Sequence, residues 1–312
     1  MGGTWVAMQI FTVIPAYNEQ AGIGGTLGAL TRSPSSGSDI QVVVVPNGCT
    51  DATAEVARGY GVTVVEIPTG SKTAAMNAAE SVVEGSPRVY VDADIAVTPE
   101  VIRALATALC EPGVHAAVPN ATVDATNSSW PVRAFYAVNA KLPVFSGRLF
   151  GRGVIAISAE ARARFAEFPD IIADDMFLDA MVAAGEKREV AVTVSVPAPR
   201  RAGDLIRRVA RSRAGNAEFW AYVREQGLGV DPVPGASMTS WLRDVVLRSP
   251  RLWLPAVCYV AITLLADAKR RRPGWNARSG WGRPTPVIPR QAGPADSAVA
   301  AGGPPEGAEA QR

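Results

Sequence analysis

The first 120 residues alternate between short apolar runs and segments whose apolar side chains recur with helical spacing. The short runs are rich in Val and Ile and carry few polar residues, as in parallel strands that are buried on both faces. The segments between them are about ten residues long. We therefore predict an α/β fold, with a Rossmann-like, mostly parallel sheet and helices on both of its faces. The predicted strands are residues 10–16, 40–45, 62–67, 88–91 and 116–119, and the predicted helices are residues 21–31, 51–60, 73–83 and 99–109.

The second half of the chain has fewer strand patterns and longer helical ones. We predict strands at residues 154–157 and 190–196, and helices at residues 127–141, 174–184, 203–226 and 241–268. From residue 273 onward, Gly, Pro and Ala dominate, which is typical of a disordered tail. We expect a folded domain over residues 8–226, an apolar helical segment over 227–272 and a disordered tail over 273–312.

The composition narrows the classes of function. The chain has 312 residues, 48% of them hydrophobic, and its 31 basic residues nearly balance its 29 acidic ones. A domain-wide basic surface is therefore absent, and we expect no nucleic-acid partner. The three cysteines, Cys49, Cys110 and Cys258, are far apart and form no Cys-x-x-Cys pair, which favours a reducing compartment such as the cytoplasm. The single histidine, His115, excludes mechanisms that need two.

Polar residues follow three of the predicted parallel strands. Tyr17-Asn18-Glu19 follows the first, Asn47-Gly48-Cys49-Thr50-Asp51 the second, and Asp92-Ala93-Asp94 the fourth. The carboxyl ends of strands in an open parallel sheet meet at one rim, where ligands bind. The sequence thus predicts a ligand site at this rim.

Asp92 and Asp94 are spaced to aim two carboxylates at one hard cation. Mg²⁺ or Mn²⁺ bound in this way keeps open positions for diphosphate oxygens and offsets charge on a departing nucleoside diphosphate. The alternative is that these aspartates cap the helix that begins near Pro99, but a cap requires one aspartate closer to the helix.

Lys72 opens a predicted helix after Gly70-Ser71, and a helix start with a lysine favours an anion such as phosphate. The alternative is a solvated surface lysine. Neither a P-loop nor a dinucleotide-binding Gly-x-Gly-x-x-Gly motif fits, since Leu27 stands where the latter requires its third small residue.

Asp174 and Asp175 stand together at another predicted helix start, where the helix dipole favours ionised carboxylates that can act as a general base. Ordinary acidic capping is the alternative. The basic run of residues 207–213 places Arg208 and Arg211 on a helix, either to reach a diphosphate or as a solvated or membrane-facing basic surface.

Taken together, these motifs resemble those of family 2 glycosyltransferases with the GT-A fold. The resemblance covers about residues 9–225. It rests on the sequences VIPAYNE at residues 13–19, NGCTD at 47–51, GSKTAAMN at 70–77, DAD at 92–94 and DD at 174–175.

The resemblance implies an inverting, metal-dependent transfer of a sugar from a nucleotide-diphosphate sugar to an acceptor hydroxyl. Asp94, helped by Asp92, would hold Mg²⁺ or Mn²⁺. Asp175 would be the base, with Asp174 in the place of the family's Glu. The implied nucleotide-sugar contacts are Pro15, Ala16, Tyr17, Glu19, Asn47, Asp51, Lys72, Asp92, Arg208 and Arg211.

Two departures from the family's pattern matter. Processive members carry a Gln-x-x-Arg-Trp motif, whereas the matching stretch, residues 208–212, reads Arg-Val-Ala-Arg-Ser. We therefore expect a single sugar to be added. Asn47 stands where many members have Asp, which leaves the nucleotide base open.

An uncharged run at residues 252–266 lies between basic residues on both sides. At about 1.5 Å per residue, it is shorter than the roughly 30 Å hydrocarbon core. We predict a membrane-associated helix lying in the interface, and hence a peripheral enzyme at the cytoplasmic face of the cell membrane. A core helix, a homodimer helix and a true span are the alternatives. The acceptor stays open between lipid-linked sugars, saccharides and small metabolites.

Two other functions are compatible with such a sheet. A nucleotidyltransferase usually has a Gly-rich basic loop after its first strand, where this chain has Tyr17-Asn18-Glu19. A catalytically inactive nucleotide-sugar-binding protein would not need Asp92, Asp94 and Asp175 together.

Overall fold

One mixed sheet organises the part of the chain that the computed structural model describes, namely residues 9–31, 39–230, 246 and 249–278. Its seven strands are ordered β3-β2-β1-β4-β6-β5-β7. Strands β1 to β4 run parallel to one another, β6 is antiparallel to β4 and β5, and β7 is parallel to β5. The bounds are β1 Ile10–Ala16, β2 Ile40–Pro46, β3 Thr63–Val64, β4 Arg88–Val91, β5 Ala116–Asp124, β6 Val154–Ile157 and β7 Lys187–Pro197. The predicted α/β class with a mostly parallel sheet is confirmed.

Helices cover both faces of the sheet, at positions close to the predicted ones. The four-residue α6 lies outside the predicted helices, since a single turn carries too few residues to show helical spacing. The helices are α1 Ile23–Thr31, α2 Thr53–Arg58, α3 Lys72–Ala79, α4 Pro99–Ala108, α5 Trp130–Asn139, α6 Ala159–Arg162, α7 Asp174–Met181, α8 Ala202–Gln226 and α9 Trp253–Arg270.

Strand β3 is shorter than the predicted strand at residues 62–67. Beyond Val64 the chain keeps only single backbone bonds to β2, from the N–H of Val65 to Val44 and from the N–H of Ile67 to Pro46. Pro68 then ends the run, because it has no N–H with which to continue a ladder.

The two faces of the sheet bury separate apolar clusters. Neighbouring residues of a strand point to opposite faces, so Val13 joins one cluster with Met76 and Phe177, while Ile14 joins the other with Leu27. Helices α3, α7 and α8 therefore lie on one face. These are the helices that carry the predicted functional residues Lys72, Asp174, Asp175, Arg208 and Arg211.

Helix α9 packs on α5 and α8, away from the sheet. Ala256, Ile262 and Ala266 are buried there, and Tyr259 stacks on Phe135 with ring centroids 4.9 Å apart. By length and composition, Pro250–Arg270 is the one helix within the described ranges that could cross a membrane. The predicted helix start at residue 241 and the predicted tail beyond residue 278 lie outside the described residues.

Candidate active site

Three loops meet at the carboxyl ends of β1, β2 and β3. Asn18 takes a left-handed conformation, with φ of 50°, and its Oδ1 accepts the N–H of Thr50 at 2.8 Å. Gly48, with φ of 59°, packs so closely on Gly70 that a Cβ atom would come within 2.7 Å of the Gly70 nitrogen. The ring of Tyr17 lies against the other side of Gly70. The predicted nucleotide-binding loops are therefore neighbours and leave no space for larger residues at these glycines.

Glu19 and Asp51 join the first two loops. The N–H of Glu19 donates to Thr53 Oγ1 at 2.8 Å, and Asp51 accepts the N–H of Gln20 at 3.1 Å. Asp51 also accepts the N–H of Thr53 at 3.1 Å at the start of α2. Both residues thus lie at the predicted rim, and Asp51 also fixes the shape of the loop.

Asn47 is completely buried beneath these loops. Its Nδ2 donates to the carbonyl of Ala16 at 2.9 Å and to that of Val45 at 3.2 Å. Its Oδ1 faces no hydrogen-bond partner among the described residues. The amide therefore joins the ends of β1 and β2, where Pro15 and Ala16 are also buried, and nucleotide contact by Asn47 stays a prediction.

Asn47→Asp is expected to lower the free energy of unfolding by about 1–3 kcal/mol, because two buried carbonyls would face a carboxylate that cannot donate to them. Urea denaturation of both proteins measures the change. Cys49→Ser, at a half-buried position in the same loop, serves as the control. Equal stability of Asn47→Asp and the wild type would show that the amide is not needed to join the strands.

Lys72 bridges two of the predicted functional carboxylates. Its Nζ lies 2.7 Å from Asp92 Oδ1 and 2.8 Å from Asp174 Oδ2. Burial lowers the pKa of Lys72, but the charges and hydrogen bonds of Asp174 and Asp92 outweigh burial and hold it above its ordinary value. The lysine is therefore a permanent cation between the end of β4 and the start of α7.

Asp92 and Asp94 follow β4, as predicted, and both are half-buried. With Asp92 Oδ1 on Lys72, its Oδ2 lies beside Gly153, where an added Cβ atom would approach it to 3.3 Å. No group of three or more His, Cys, Asp or Glu residues able to hold a metal is found in the described part of the chain. Two carboxylates nevertheless suit Mg²⁺ or Mn²⁺, because such a cation would keep its other coordination positions for the oxygens of a diphosphate.

Asp175 faces a different group from its neighbour Asp174. Its Oδ2 accepts the N–H of Gly151 at 3.0 Å, and its Oδ1 accepts the N–H of Met176 at 2.9 Å. Burial, with the nearby charge of Asp174, raises the pKa of Asp175 to about 6, although Lys72 and the Gly151 N–H act in the opposite direction. The raised pKa distinguishes Asp175 from an ordinary surface carboxyl, and its role as a base stays a prediction.

A buried ion cluster fixes the loop that meets Asp175. Asp179, on α7, pairs with Lys187 at 2.8 Å and Arg148 at 3.1 Å and accepts the N–H of Leu149 at 2.9 Å. No local pattern in the sequence indicates this cluster, although residues 147–153 include three glycines, which are typical of a tight loop. The side chain of Asn77, on α3, also donates to the carbonyl of Phe168 at 3.0 Å and accepts the N–H of Phe168 at 2.8 Å.

Arg211 brings a cation to the same carboxylates. Burial lowers the pKa of Arg211 to about 10, while Asp174 and Asp92 are near enough to raise it and Arg208 and Arg278 near enough to lower it further. Arg208 itself is exposed and donates to the carbonyl of Pro197 at 3.3 Å. Lys72 and Arg211 are therefore gathered around Asp92 and Asp174, with Arg208 further out.

Arg278 reaches this region from the segment after α9. It donates to the carboxylate and, at 2.8 Å, to the carbonyl of Asp170, and to Glu218 at 2.6 Å. Glu218 in turn accepts the N–H of Ile172 at 2.9 Å. The chain that leads into Asp174 is thus held by residues from α8 and from beyond α9.

The mostly parallel α/β sheet, with carboxylates at the end of β4 and at the start of α7, has the architecture of the GT-A fold. Residues 12–156 match the family described as Glycosyl transferase family 2. This part of the chain is therefore similar to family 2 glycosyltransferases.

The chain is also similar to a solved structure and, over a short segment, to a further relative. The solved structure of a mannosyltransferase from Pyrobaculum calidifontis, in complex with GDP-Man and Mn²⁺, has a TM-score of 0.57 and 21% identity over 84% of this chain and 86% of that one. This likeness shows the fold. Validoxylamine A glucosyltransferase of Streptomyces hygroscopicus subsp. limoneus is 41% identical over 59 residues, which are 19% of this chain and 13% of that relative.

Proposed function

We propose that the protein is an inverting, metal-dependent glycosyltransferase that moves one sugar from a nucleotide-diphosphate sugar to an acceptor hydroxyl. The observation that carries the proposal is the double contact of Lys72, which lies within 2.8 Å of both Asp92 and Asp174. The carboxylates that suit a diphosphate-bound metal are thereby brought next to those that suit a base.

In this proposal the loops after β1 and β2 bind the nucleotide, with Tyr17, Glu19 and Asp51 at the rim. Asp94 and Asp92 hold Mg²⁺ or Mn²⁺, which would supply positive charge against the departing diphosphate. Lys72 and Arg211 add fixed positive charge on the same side. The mannosyltransferase with GDP-Man and Mn²⁺ supports this donor and metal chemistry by analogy of fold.

Asp175 is proposed to accept the proton of the acceptor hydroxyl as that oxygen attacks the anomeric carbon. A single attack from the side opposite the leaving group inverts the configuration at that carbon, so one base is sufficient. Asp174, paired with Lys72, orients the start of α7. Its role is to position the base.

Addition of a single sugar is proposed from the sequence of α8. The helix carries Arg208 and Arg211, but its residues 208–212 have Arg and Ser where the motif of processive enzymes has Gln and Trp. The acceptor class stays open between lipid-linked sugars, saccharides and small metabolites.

The protein is proposed to act as a peripheral enzyme at the cytoplasmic face of the cell membrane. All three cysteines are free thiols, as a reducing compartment requires. The exposed apolar side of α9 supports the membrane location, while a homodimer through this helix is the competing use of the same surface.

Asp94→Ala is expected to abolish the part of nucleoside-diphosphate binding that requires Mn²⁺ or Mg²⁺, because one of two protein ligands is lost. Calorimetric titration with and without the metal measures this, and His115→Ala, outside the proposed site, is the control. Unchanged metal-dependent binding would remove the metal assignment.

Incubation with a panel of nucleotide sugars and nucleoside triphosphates separates the proposed function from its alternatives. A transferase releases nucleoside diphosphate slowly from one donor in the presence of metal. A nucleotidyltransferase consumes a triphosphate instead, and an inactive binding protein turns over neither.

A further inference from the structure

Helix α9 has two faces of opposite character in its packing. One face is buried on α5 and α8 through Ala256, Ile262 and Ala266. An ion pair between Arg213 of α8 and Asp267 holds the end of the helix. The helix is thus attached to the folded domain along nearly its whole length.

The opposite face is apolar and open to solvent. Its side chains are separated by three, four and seven residues, which places them on one side of a helix. A contiguous apolar surface of this kind marks an interaction site in a soluble protein. The large side chains that are 54% to 64% exposed are Trp253, Leu254, Val257, Leu264 and Leu265.

Both ends of this apolar face are basic. Arg251 is exposed at the amino end, and Arg271 and Arg272 are exposed at the carboxyl end. The acidic residue of α9, Asp267, is already paired with Arg213 and lies 3.7 Å from Arg270. The face therefore combines apolar side chains with a net positive charge.

We propose that this face of α9 docks on a bilayer that contains anionic lipid, with the helix lying in the plane of the headgroups. Apolar side chains enter the interface while arginines at both ends attract anionic headgroups. This proposal rests on the membrane location put forward under the proposed function, and it assigns a defined surface of the protein to that location. It does not depend on glycosyl transfer.

A spanning helix fits the structure less well. A helix that crosses a bilayer is surrounded by lipid or by other membrane segments, whereas α9 has a water-soluble domain packed along one side, including Phe135 stacked on Tyr259. Lipid cannot replace those contacts without exposing the apolar side chains of α5 and α8.

A second copy of the chain also fits less well. In a two-fold dimer with antiparallel α9 helices, Arg271 and Arg272 would lie beside Arg251 of the partner. In a parallel pair the same arginines would meet their own copies. Either arrangement brings like charges together, whereas an anionic surface neutralises them.

Sedimentation of the full chain with vesicles tests the proposal. We expect binding to vesicles of phosphatidylcholine with phosphatidylglycerol, weaker binding to phosphatidylcholine alone, and release by high salt. The double variant Val257→Glu/Leu264→Glu should reduce partitioning by about tenfold or more, because two exposed apolar side chains that would enter the bilayer are replaced by charged ones. Arg271→Glu/Arg272→Glu should reduce binding to the anionic vesicles selectively.

Val82→Glu is the matched control, since Val82 is an exposed apolar residue away from α9. It should bind vesicles like the wild type. Metal-dependent donor hydrolysis, measured without lipid, should be unchanged in all of these variants, so that loss of docking and loss of catalysis are told apart.

Three results would overturn the proposal. One is a wild-type protein that does not sediment with anionic vesicles. Another is a wild-type dimer in analytical ultracentrifugation that Val257→Glu/Leu264→Glu dissociates, since this assigns the face to a second copy. The third is vesicle-bound protein that resists both high salt and alkaline carbonate, as a spanning helix would.

Discussion

Asp175→Asn is expected to reduce sugar transfer about 10²–10⁴-fold, the usual effect of removing a positioned base, while nucleotide binding is retained. Asn keeps an oxygen that can accept one of the two N–H groups now on Asp175, from Gly151 or Met176, but it cannot take up a proton. Steady-state kinetics and calorimetric donor binding measure the two effects.

Asp174→Asn is the matched control at the adjacent position. It weakens the contact with Lys72 and should lower stability, yet it should retain more activity than Asp175→Asn, because the proton acceptor is still present. The reverse order of activities would assign the base to Asp174, and activity retained in both variants would remove the pair from the mechanism.

The pH dependence follows from the pKa of Asp175 near 6. A base must be ionised, so kcat/KM of the wild type should rise with pH through about 6, and the residual activity of Asp175→Asn should lack this step. The stability of the fold should depend on pH in the opposite direction. Between the ordinary value of 3.8 and about 6, the folded state holds this proton more tightly than the unfolded state, so the contribution of Asp175 to stability falls as pH rises.

Melting temperatures of the metal-free proteins check this sign. The difference between Asp175→Asn and the wild type should shift in favour of the variant as pH rises from about 4 to about 7, because only the wild type must ionise a carboxyl in this partly buried position. A difference that is constant over this range would contradict the raised pKa.

Lys72→Met is expected to lower the free energy of unfolding by about 2–4 kcal/mol. Removing one partner of a buried ion pair leaves uncompensated charge, and the range is reduced here because Lys72 and Asp92 are partly exposed. Asp174, which is 6% exposed, would lose its ammonium partner and Asp92 the same cation. Urea denaturation measures the loss, and donor affinity should fall as well.

Adding Asp174→Asn to Lys72→Met completes a double-mutant cycle. The double variant should recover part of the lost stability, since the carboxylate without a partner is then gone. Lys141→Met, at an exposed lysine, is the control and should change stability by less than about 0.5 kcal/mol. Strictly additive effects would show that the ion pair contributes nothing to stability.

The strands of the sheet could be predicted because most of them are short, contiguous runs of mainly apolar residues. Every residue of β1 is buried, and so are the last four residues of β2. Their apolar composition alone therefore indicated strands that are buried on both faces. The rim residues followed from strand ends, which the same runs define. Strand β3 was predicted too long because apolar residues continue to Ile67 after most of the pairing has ended.

Contacts between distant segments could not be predicted in the same way. The ion pair of Lys72 with Asp174 and the contact of Arg278 with Asp170, 108 residues apart, depend on how α7 and the end of α9 fold back onto the sheet. The strand order β4-β6-β5-β7 could not be predicted for the same reason, since no local pattern indicates that β6 inserts antiparallel between β4 and β5.

The contact of Arg278 with Asp170 limits how far the proposed active site can lie from a membrane-bound α9. Helix α9 ends at Arg270, and the eight residues that follow reach at most about 29 Å when fully extended. Arg278 nevertheless holds Asp170 and Glu218 at the approach to the proposed base. If α9 lies among the headgroups, Arg278 lies no farther than about 29 Å from the end of the membrane-bound helix, so the segment that leads into the proposed base is held close to the lipid surface.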